Sequence, residues 1–389
     1  MGPGGPRSQP MDRYDLAVLG GGMVGSAIGY GCAARGARVA VLDEGDVALR
    51  AARGNFGLVW SQSKGVGMPV YAAWTRRSLE LWPELAERLS RLAGQDVQYR
   101  PVGGVTFHLG DEEVEAGRAF VHRMHNQSPW QGSHGLRLID RAELRELMPD
   151  CPLGPEVSGA TYEPADGHVD PLTLLRGFRA GLRKAGGAQL PGARVTAVEP
   201  VAGGYRITRA DSAVVEAARV LVAAGVGTTP LAAMVGLDVP VRPVRGQNIV
   251  TERLAPMLPL PASAIRQTGD GTIQIGVTTE DDGLFETPTT VDALARMAAR
   301  ATRVLPPLRR ARMVRAWAAL RPMTPDGFPA YAECTTHPGC YVAVCHSGVT
   351  LAAAHAGPLA EGVLNGVLPE FARDLHPSRF VGMKYVQAH

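Results

Sequence analysis

Gly20, Gly22 and Gly25 form a Gly-x-Gly-x-x-Gly pattern whose backbone could hold the diphosphate of a nucleotide. The first glycine permits a tight turn, the second lets the backbone approach a pyrophosphate, and the third lets a helix pack closely on a strand. The N-terminus of that helix favours anions because its N–H groups are free. Asp43, eighteen residues after Gly25, is placed to accept hydrogen bonds from ribose hydroxyls. The pattern therefore predicts dinucleotide binding.

The elements that must position these residues are those of a βαβ unit. An apolar strand precedes Gly20, an Ala- and Gly-rich helix follows, and a second strand, Val39–Leu42, ends at the acid. The uncharged run Leu16–Ala34 approaches the length of a membrane span, but its six glycines and the strand directly after it argue against one. Residues 1–10 are rich in Gly and Pro and contain no apolar segment of a signal peptide. We expect a cytoplasmic protein with a disordered tail at residues 1–11.

Length, charge and cysteine content narrow the class of protein. At 389 residues the chain is too long for one hydrophobic core, so two domains are expected. The net charge is only +3 without a basic block, which disfavours nucleic acid as a partner. The five cysteines form no Cys-x-x-Cys pair, and free thiols are expected. His122 and His125 could bind a metal with His108 or His134, but no carboxylate is suitably placed, so we predict no metal site.

The rest of the chain alternates helices and strands without an internal repeat. Apolar residues at helical spacing predict a helix over residues 68–92, kinked or restarted at Pro83. Asp140 and Glu143 form a capping box, and Asp292 is expected to cap a later helix. Residues 264–276 predict a hairpin that turns at residues 269–271. The domains are expected to be interleaved rather than sequential.

Two later segments resemble signatures of a known family. Residues 317–329, WAALRPMTPDGFP, are similar to the W-x-G-L-R-P-x-T-P-D-G-x-P segment of the D-amino-acid oxidase-like flavoproteins. Residues 345–352, CHSGVTLA, resemble the flavin loop G-H-x-x-G-x-x-L-A of that family, with Cys345 in place of its first glycine. Residues 223–225 and 243–247 also match, so the resemblance covers nearly the whole chain from Asp12. Residues 53–60, RGNFGLVW, with Lys64 and Gly65, look closest to the group of opine oxidase and D-hydroxyproline dehydrogenase β subunits and glycine oxidase.

The resemblance implies FAD as the cofactor and an α/β fold. A doubly wound, Rossmann-like FAD-binding domain would comprise residues 12–95, 156–230 and 335–389. It would be interleaved with an α+β substrate-binding domain that has a mixed sheet and comprises residues 96–155 and 231–334. By position, Gly348 to Thr350 would donate N–H groups to the flavin ring, and the backbone of Val195 would meet adenine. The full set of residues implied to bind FAD is Gly20, Gly22, Met23, Val24, Gly25, Asp43, Glu44, Arg53, Gly54, Asn55, Val195, Ala224, Gly225, Gly348, Val349 and Thr350.

Arg321 and His346 are the residues that we expect to carry chemistry beside the flavin. A flavin performs the redox step itself, so the protein must mainly orient the substrate. A guanidinium binds a carboxylate through two parallel hydrogen bonds, which makes Arg321 a candidate carboxylate clamp; a structural ion pair is the alternative. His346 could bind substrate, tune the flavin or only pack beside it. The implied reaction is oxidation of a small amino or imino acid to an imine by hydride transfer from the α-carbon to flavin N5. The substrate would be a D-amino acid, D-hydroxyproline or proline, glycine or sarcosine, or an opine.

Other functions fit the same sequence. The chain could be a flavin-bearing electron-transfer subunit of a hetero-oligomeric dehydrogenase, or an NAD-dependent dehydrogenase built on the same βαβ unit. The electron acceptor could be oxygen, a quinone or a partner subunit, and homo- and hetero-oligomers are both open. An absorption spectrum of the purified protein would distinguish a flavoprotein from an NAD-dependent dehydrogenase. Anaerobic reduction of the flavin by an added amino acid would distinguish amino-acid oxidation from electron transfer.

The sequence also predicts that FAD is bound non-covalently. Members of the family with a covalent flavin use a Cys just before the T-P-D segment. Here that stretch is Ala318-Ala319-Leu320, which cannot form a thioether. Acid precipitation should therefore release the yellow cofactor into the supernatant. Colour that stays with the precipitated protein would contradict this prediction.

Overall fold

The computed structural model describes residues 13–45, 51–127 and 135–386, so the predicted disordered tail at residues 1–11 and His134 lie outside the described residues. The strands within these ranges are β1 (Arg13–Leu19), β2 (Val39–Asp43), β3 (Leu58–Val59), β4 (Gly104–Leu109), β5 (Arg137–Asp140), β6 (Val157–Glu163), β7 (Gly167–His168), β8 (Ala188–Pro191), β9 (Val195–Val201), β10 (Gly204–Arg209), β11 (Val214–Val222), β12 (Arg242–Arg253), β13 (Ile265–Gln267), β14 (Thr272–Gly276), β15 (Met313–Met323), β16 (Ala330–Glu333) and β17 (Cys340–Val344). The α-helices are α1 (Met23–Ala33), α2 (Pro69–Ala93), α3 (Gly110–Asn126), α4 (Arg141–Leu147), α5 (Pro171–Lys184), α6 (Thr228–Ala233), α7 (Val291–Val304), α8 (Ala352–Ala354) and α9 (Ala360–Asn365).

The larger sheet contains the βαβ unit predicted from the glycine pattern. Its strand order is β16-β17-β11-β1-β2-β8, in which β17, β11, β1, β2 and β8 run parallel and β16 is antiparallel. Along β1, Leu16 and Val18 pack into the core that contains α1, whereas Ala17 and Leu19 pack into the core that contains α6. Because both faces are covered, the buried part of the strand, residues 16–19, is apolar at every position and does not alternate with polar residues. This is the doubly wound sheet that the sequence predicts.

A second sheet lies beside the first and is mixed, as predicted. Strands β13-β14-β12-β15 are antiparallel, and so are β4-β6-β5. The two sets are joined by a parallel bridge between Val105 and Ala262. In this bridge the N–H of Val105 donates to the carbonyl of Pro261 at 3.0 Å, and the N–H of Ser263 donates to the carbonyl of Val105 at 3.0 Å. Strand β15, which carries Arg321, forms one edge of this sheet.

Strand pairing bears on the predicted domain limits. Strand β6 pairs with β4 and β5 in the second sheet, although the sequence placed residues 156–230 in the FAD-binding domain. Strand β16 pairs with β17 in the parallel sheet, although residues 231–334 were placed in the substrate domain. Local sequence does not encode the partner of a short strand, since side-chain packing against neighbours decides it. We therefore propose domain boundaries after Glu163 and before Ala330.

Several local predictions can be compared with the helices. The capping box is present, because Asp140 accepts from the N–H of Glu143 at 2.9 Å and Glu143 accepts from the N–H of Asp140 at 3.1 Å. Helix α2 runs through Pro83 as one element, and the buried face around Trp82 compensates for the missing backbone hydrogen bond. The residue at the N-cap of α7 is Thr290; Asp292 lies in the first turn, where a negative charge is also favourable. Within the described residues, no helix has the length and apolar character needed to cross a membrane.

Candidate active site

A cleft of about 470 Å³ opens at the carboxyl ends of the parallel strands. Ligands of open α/β sheets bind at this edge, where loops leave successive strands in opposite directions. The cleft runs from β9, past the N-terminus of α1, to the loop that follows β17. The predicted cofactor residues that line it are Gly20, Gly22, Met23, Val24, Asp43, Glu44, Arg53, Asn55, Val195, Ala224, Gly225, Gly348 and Val349.

The three motif glycines serve different purposes. A Cβ on Gly20, which has φ +115°, would lie 2.4 Å from the carbonyl oxygen of Ala223, and a Cβ on Gly25 would lie 2.0 Å from that of Gly20. These two glycines are required by the packing of the protein itself. Gly22 is different: its φ of −73° suits any residue, and the nearest atom to its Cβ would be Ala52 Cβ at 3.9 Å. The side of Gly22 is therefore open to the cleft, as the approach of a diphosphate requires.

The rest of this region also fits a dinucleotide. Among the described residues, no side chain caps α1 and no acid lies in its first turn, so its N–H groups remain available to an anion. Asp43 accepts from the N–H of Gly21 at 2.7 Å and from the N–H of Gly45 at 3.0 Å. These bonds fix the carboxylate at the wall of the cleft, and each oxygen keeps a lone pair for a further donor such as a ribose hydroxyl. The residues present therefore suit FAD.

Gly54 and Thr350 were predicted to bind the cofactor, but like Gly25 they lie behind the residues that line the cleft. The carbonyl of Gly54 accepts from Trp317 Nε1 at 3.1 Å, and a Cβ on Gly54 would lie 2.6 Å from Ala319 Cβ. The carbonyl of Thr350 accepts from Ser78 Oγ at 2.7 Å and from Trp82 Nε1 at 2.9 Å. These residues hold the loops that carry Arg53, Asn55, Gly348 and Val349. Their direct contact with FAD stays a prediction.

Arg321 lies on β15 between Leu320 and Pro322, which both line the cleft. Its Nη1 atom is buried without a hydrogen-bond partner in the described part of the chain. A Cβ on Gly246 of the neighbouring strand would lie 2.6 Å from Arg321 Nη2, so the absence of a side chain at Gly246 gives the guanidinium its position. Burial lowers the pKa of Arg321 to about 10, partly opposed by the charge of Glu280. The group is still a cation at neutral pH.

A second arginine, Arg245 on the neighbouring strand, differs from Arg321 in its carboxylate partners. Arg245 donates to Glu280 Oε2 through Nε at 2.9 Å and Nη2 at 2.7 Å, and its Nη2 is 2.8 Å from Asp282. Among the described residues, no carboxylate lies within salt-bridge distance of Arg321; the nearby acids pair with Arg245. The structural ion pair that the sequence left open for Arg321 is therefore formed by Arg245, while Arg321 can still accept an anion.

His346 lines the cleft, and its Nε2 lies 3.3 Å from Lys64 Nζ. Burial, with the charges of Lys64 and Arg321, holds the pKa of His346 well below its usual range, so the ring is neutral. Burial also lowers the pKa of Lys64 to about 8. In the sequence, Lys64 was named only as part of a family motif. The sequence did not single out Lys64 as a candidate for chemistry, because a loop lysine is ordinarily exposed and only tertiary structure places it beside a cleft.

The fold and the cleft together define a dinucleotide-binding oxidoreductase in which a mixed sheet stands beside a doubly wound parallel sheet. The chain belongs to the FAD dependent oxidoreductase (DAO) family, whose sequence model matches residues 15–361. This membership confirms the predicted family, the FAD cofactor and the oxidoreductase activity. No cluster of three metal-binding side chains occurs within residues 13–45, 51–127 and 135–386.

Three comparisons show how far the similarity extends. An opine oxidase subunit of Agrobacterium tumefaciens (strain Ach5) is 36% identical over 360 residues, which are 92% of this chain and 96% of that protein. The corresponding opine oxidase subunit of Rhizobium meliloti is 37% identical with the same coverage. The crystal structure of glycine oxidase from Geobacillus kaustophilus has a TM-score of 0.82 and 24% identity, and the match covers 97% of this chain and 99% of that one. This structural match confirms the fold.

The open side of Gly22 generates a prediction about cofactor content. Gly22→Val should yield protein with little or no FAD, because the side chain would occupy the space into which the diphosphate must come. The purified variant should be colourless and should unfold at a lower temperature, since bound FAD stabilises the native state by mass action. Gly22→Ala is the graded control and should lose only part of the flavin. A fully yellow Gly22→Val protein would show that the dinucleotide is held elsewhere.

Proposed function

We propose that this enzyme oxidises a small amino or imino acid to an imine and binds the substrate's carboxylate with Arg321. The observation that carries the proposal is a buried guanidinium nitrogen that has no partner among the described residues, on a strand whose neighbouring residues line the flavin cleft. A buried cation without a counter-ion is costly, and an anionic substrate group removes that cost when it binds. When bound, FAD supplies the two-electron oxidation, in which the α-hydrogen leaves as hydride.

The protein itself then contributes mainly by holding the substrate in position beside the flavin. Strand pairing between Val244 and Arg321 fixes the base of the arginine side chain, and the bare backbone of Gly246 leaves space for the guanidinium. A carboxylate held at two points would present the α-carbon in one orientation, which lowers the entropic part of the barrier. The names of the relatives, opine oxidase and glycine oxidase, support a substrate of the amino-acid type. A D-amino or D-imino acid such as D-hydroxyproline or D-proline, then glycine or sarcosine, then an opine are the substrates to test first.

The test is anaerobic reduction of the purified holoenzyme, followed at the flavin absorbance band. D-proline, D-hydroxyproline, glycine, sarcosine and an opine are added singly, and at least one should bleach the flavin. The same substrates in air then show whether oxygen accepts the electrons or whether a quinone or partner subunit is needed. If no substrate in the panel bleaches the flavin, the proposed function fails.

A second candidate function follows from the names of the two opine oxidase relatives, each of which is one subunit of its enzyme. In that case the chain would be the flavin-bearing subunit of a hetero-oligomer, and electrons would leave through a partner. The anaerobic test separates two forms of this function. If the isolated chain is bleached by substrate, it performs the oxidation itself; if it is bleached only with a partner present, its role is electron transfer.

Removing the arginine should impair substrate binding and oxidation and leave the cofactor in place. Arg321→Ala should lower kcat/KM by about thirty-fold or more, because losing a desolvated, charge-assisted pair costs roughly 2–5 kcal/mol. FAD content, measured by absorbance after acid release, should stay nearly unchanged. Arg321→Lys is the matched control and should recover only part of the loss, since an ammonium cannot form two parallel hydrogen bonds. An Arg321→Ala enzyme as active as the wild type would refute the carboxylate clamp.

The position of the guanidinium can be tested without changing its charge. Gly246→Ala should displace Arg321, because the new Cβ would meet the end of a flexible side chain rather than backbone. We expect kcat/KM to fall by about ten- to a hundred-fold with FAD content and thermal stability close to wild type. In the Arg321→Ala background the same change should have little further effect on kcat/KM. Independent, additive losses in the double variant would argue against this role of Gly246.

A further inference from the structure

Lys64 is a basic residue beside the cleft, and the proposed function gives it no role. It lies in the loop between β3 and α2, and its Nζ is 3.3 Å from Nε2 of the cleft-lining His346. The chain contains three lysines, and the other two, Lys184 and Lys384, are exposed. A lysine held beside a neutral imidazole next to the cofactor cleft is therefore a feature of this site and not of the protein surface.

The loop that carries Lys64 is held in place by a buried carboxyl group. Asp166, which is fully buried, accepts from the backbone N–H of Ser61 at 2.5 Å and from its hydroxyl at 2.7 Å. It also accepts from Gln62 Nε2 at 3.1 Å. Because these contacts lie two and three residues before Lys64, they restrict the position of its backbone.

Four groups on other elements face Lys64. His346 and Cys345 lie at the end of β17, Arg321 lies on β15, and Asp166 lies between β6 and β7. Burial is the largest influence and lowers the pKa of Lys64 to about 8; Arg321 acts in the same direction, whereas Asp166 and Cys345 act against it. Burial raises the pKa of Cys345 to about 12, so near neutral pH this thiol is uncharged and its opposing influence on Lys64 is lost. About a tenth of Lys64 is then a free amine at pH 7, against well under a thousandth for an ordinary lysine.

We propose that Lys64 is the base that takes a proton from the ammonium group of the substrate, an inference that rests on the proposed function. Free amino acids are zwitterions near neutral pH, and hydride can leave the α-carbon only when the nitrogen lone pair is available to form the C=N bond. With the carboxylate at Arg321, the neighbouring amine of Lys64 is a group that can accept this proton. His346 is too weak a base, but its Nε2 can accept an N–H of Lys64 and so orient the amine.

The step is a single proton transfer. An N–H bond of the substrate ammonium breaks while an N–H bond forms at Lys64 Nζ, and the electron pair of the broken bond remains on the substrate nitrogen. The neutral amine Lys64 becomes an ammonium, and the substrate changes from zwitterion to amino carboxylate. The two electrons of the later oxidation leave with the α-hydrogen to bound FAD, so the proton transfer needs no other reactant.

The test is anaerobic stopped-flow reduction of wild type, Lys64→Met and Lys64→Arg holoenzymes between about pH 6 and pH 10, with the best substrate of the panel. The wild-type rate should rise with pH through an ionisation near 8 and then level off. Lys64→Met should be slower by about a hundred-fold or more at pH 7, the usual contribution of a general base. Its rate should keep rising to the higher pKa of the free substrate amine. Lys64→Arg should resemble Lys64→Met, because a guanidinium keeps its proton.

The outcomes separate the alternatives. Wild-type rates in Lys64→Arg would show that only the positive charge matters, and an unchanged rate and pH profile in Lys64→Met would show that Lys64 takes no proton; either result overturns the proposal. If the wild type is not reduced by any substrate, the proposed function has failed, and the second measurement below still decides on the state of Lys64.

That second measurement needs no turnover. The holoenzyme is treated with a trace of acetic anhydride, which acetylates only neutral amines, and the modified lysines are quantified by mass spectrometry across the same pH range. Lys184 and Lys384 serve as exposed comparators in the same sample. Modification of Lys64 should level off above about pH 8, and acetate, as a small carboxylate bound at Arg321, should slow it. A rate at Lys64 that rises steadily to about pH 10, as for an ordinary lysine, would refute the proposed base.

Discussion

The close approach of backbone at the end of β1 is the contact on which the rest of the structure depends. Gly20 meets the carbonyl of Ala223, which directly follows β11, and Gly25 of α1 meets the carbonyl of Gly20, at distances that exclude any side chain. These contacts bring the ends of β1 and β11 and the start of α1 together, and the cofactor cleft is the space that they leave. A larger residue at Gly20 or Gly25 would separate these elements before any ligand arrived.

Arg245 and Arg321 of the second sheet differ in their charged partners, and this difference indicates a structural role for one and a chemical role for the other. Arg245 is surrounded by Glu280 and Asp282, whereas Arg321 on the adjacent strand keeps a buried nitrogen without a partner in the described ranges. His346 lines the cleft, Lys64 lies beside it, and burial lowers the pKa of both side chains and of Arg321, which disfavours their charged forms. Such a concentration of perturbed basic groups is typical of a functional site, since a purely structural region would pair or expose them.

Local signals in the sequence predicted local structure well. The capping box at Asp140 and the hairpin between β13 and β14 both occur where residue types alone placed them. The expectation for α7 was slightly imprecise, because Asp292 stabilises the helix dipole from the first turn and Thr290 occupies the cap. The domain limits stay a prediction; the pairing of β6 and β16 with strands across the expected boundaries is the reason for the altered limits that we propose.

By itself the sequence determined the dinucleotide motif, the family and the candidate Arg321, because these depend on residue types at short or fixed spacing. Only the tertiary structure decided that Gly246 shapes the site, that Thr350 is held by Trp82, and that Lys64 meets His346. The last pair is separated by 282 positions in the chain. The physical reason is that the chemistry of these groups depends on desolvation. Desolvation is set by the residues packed around a group and is not determined by any single segment of the sequence.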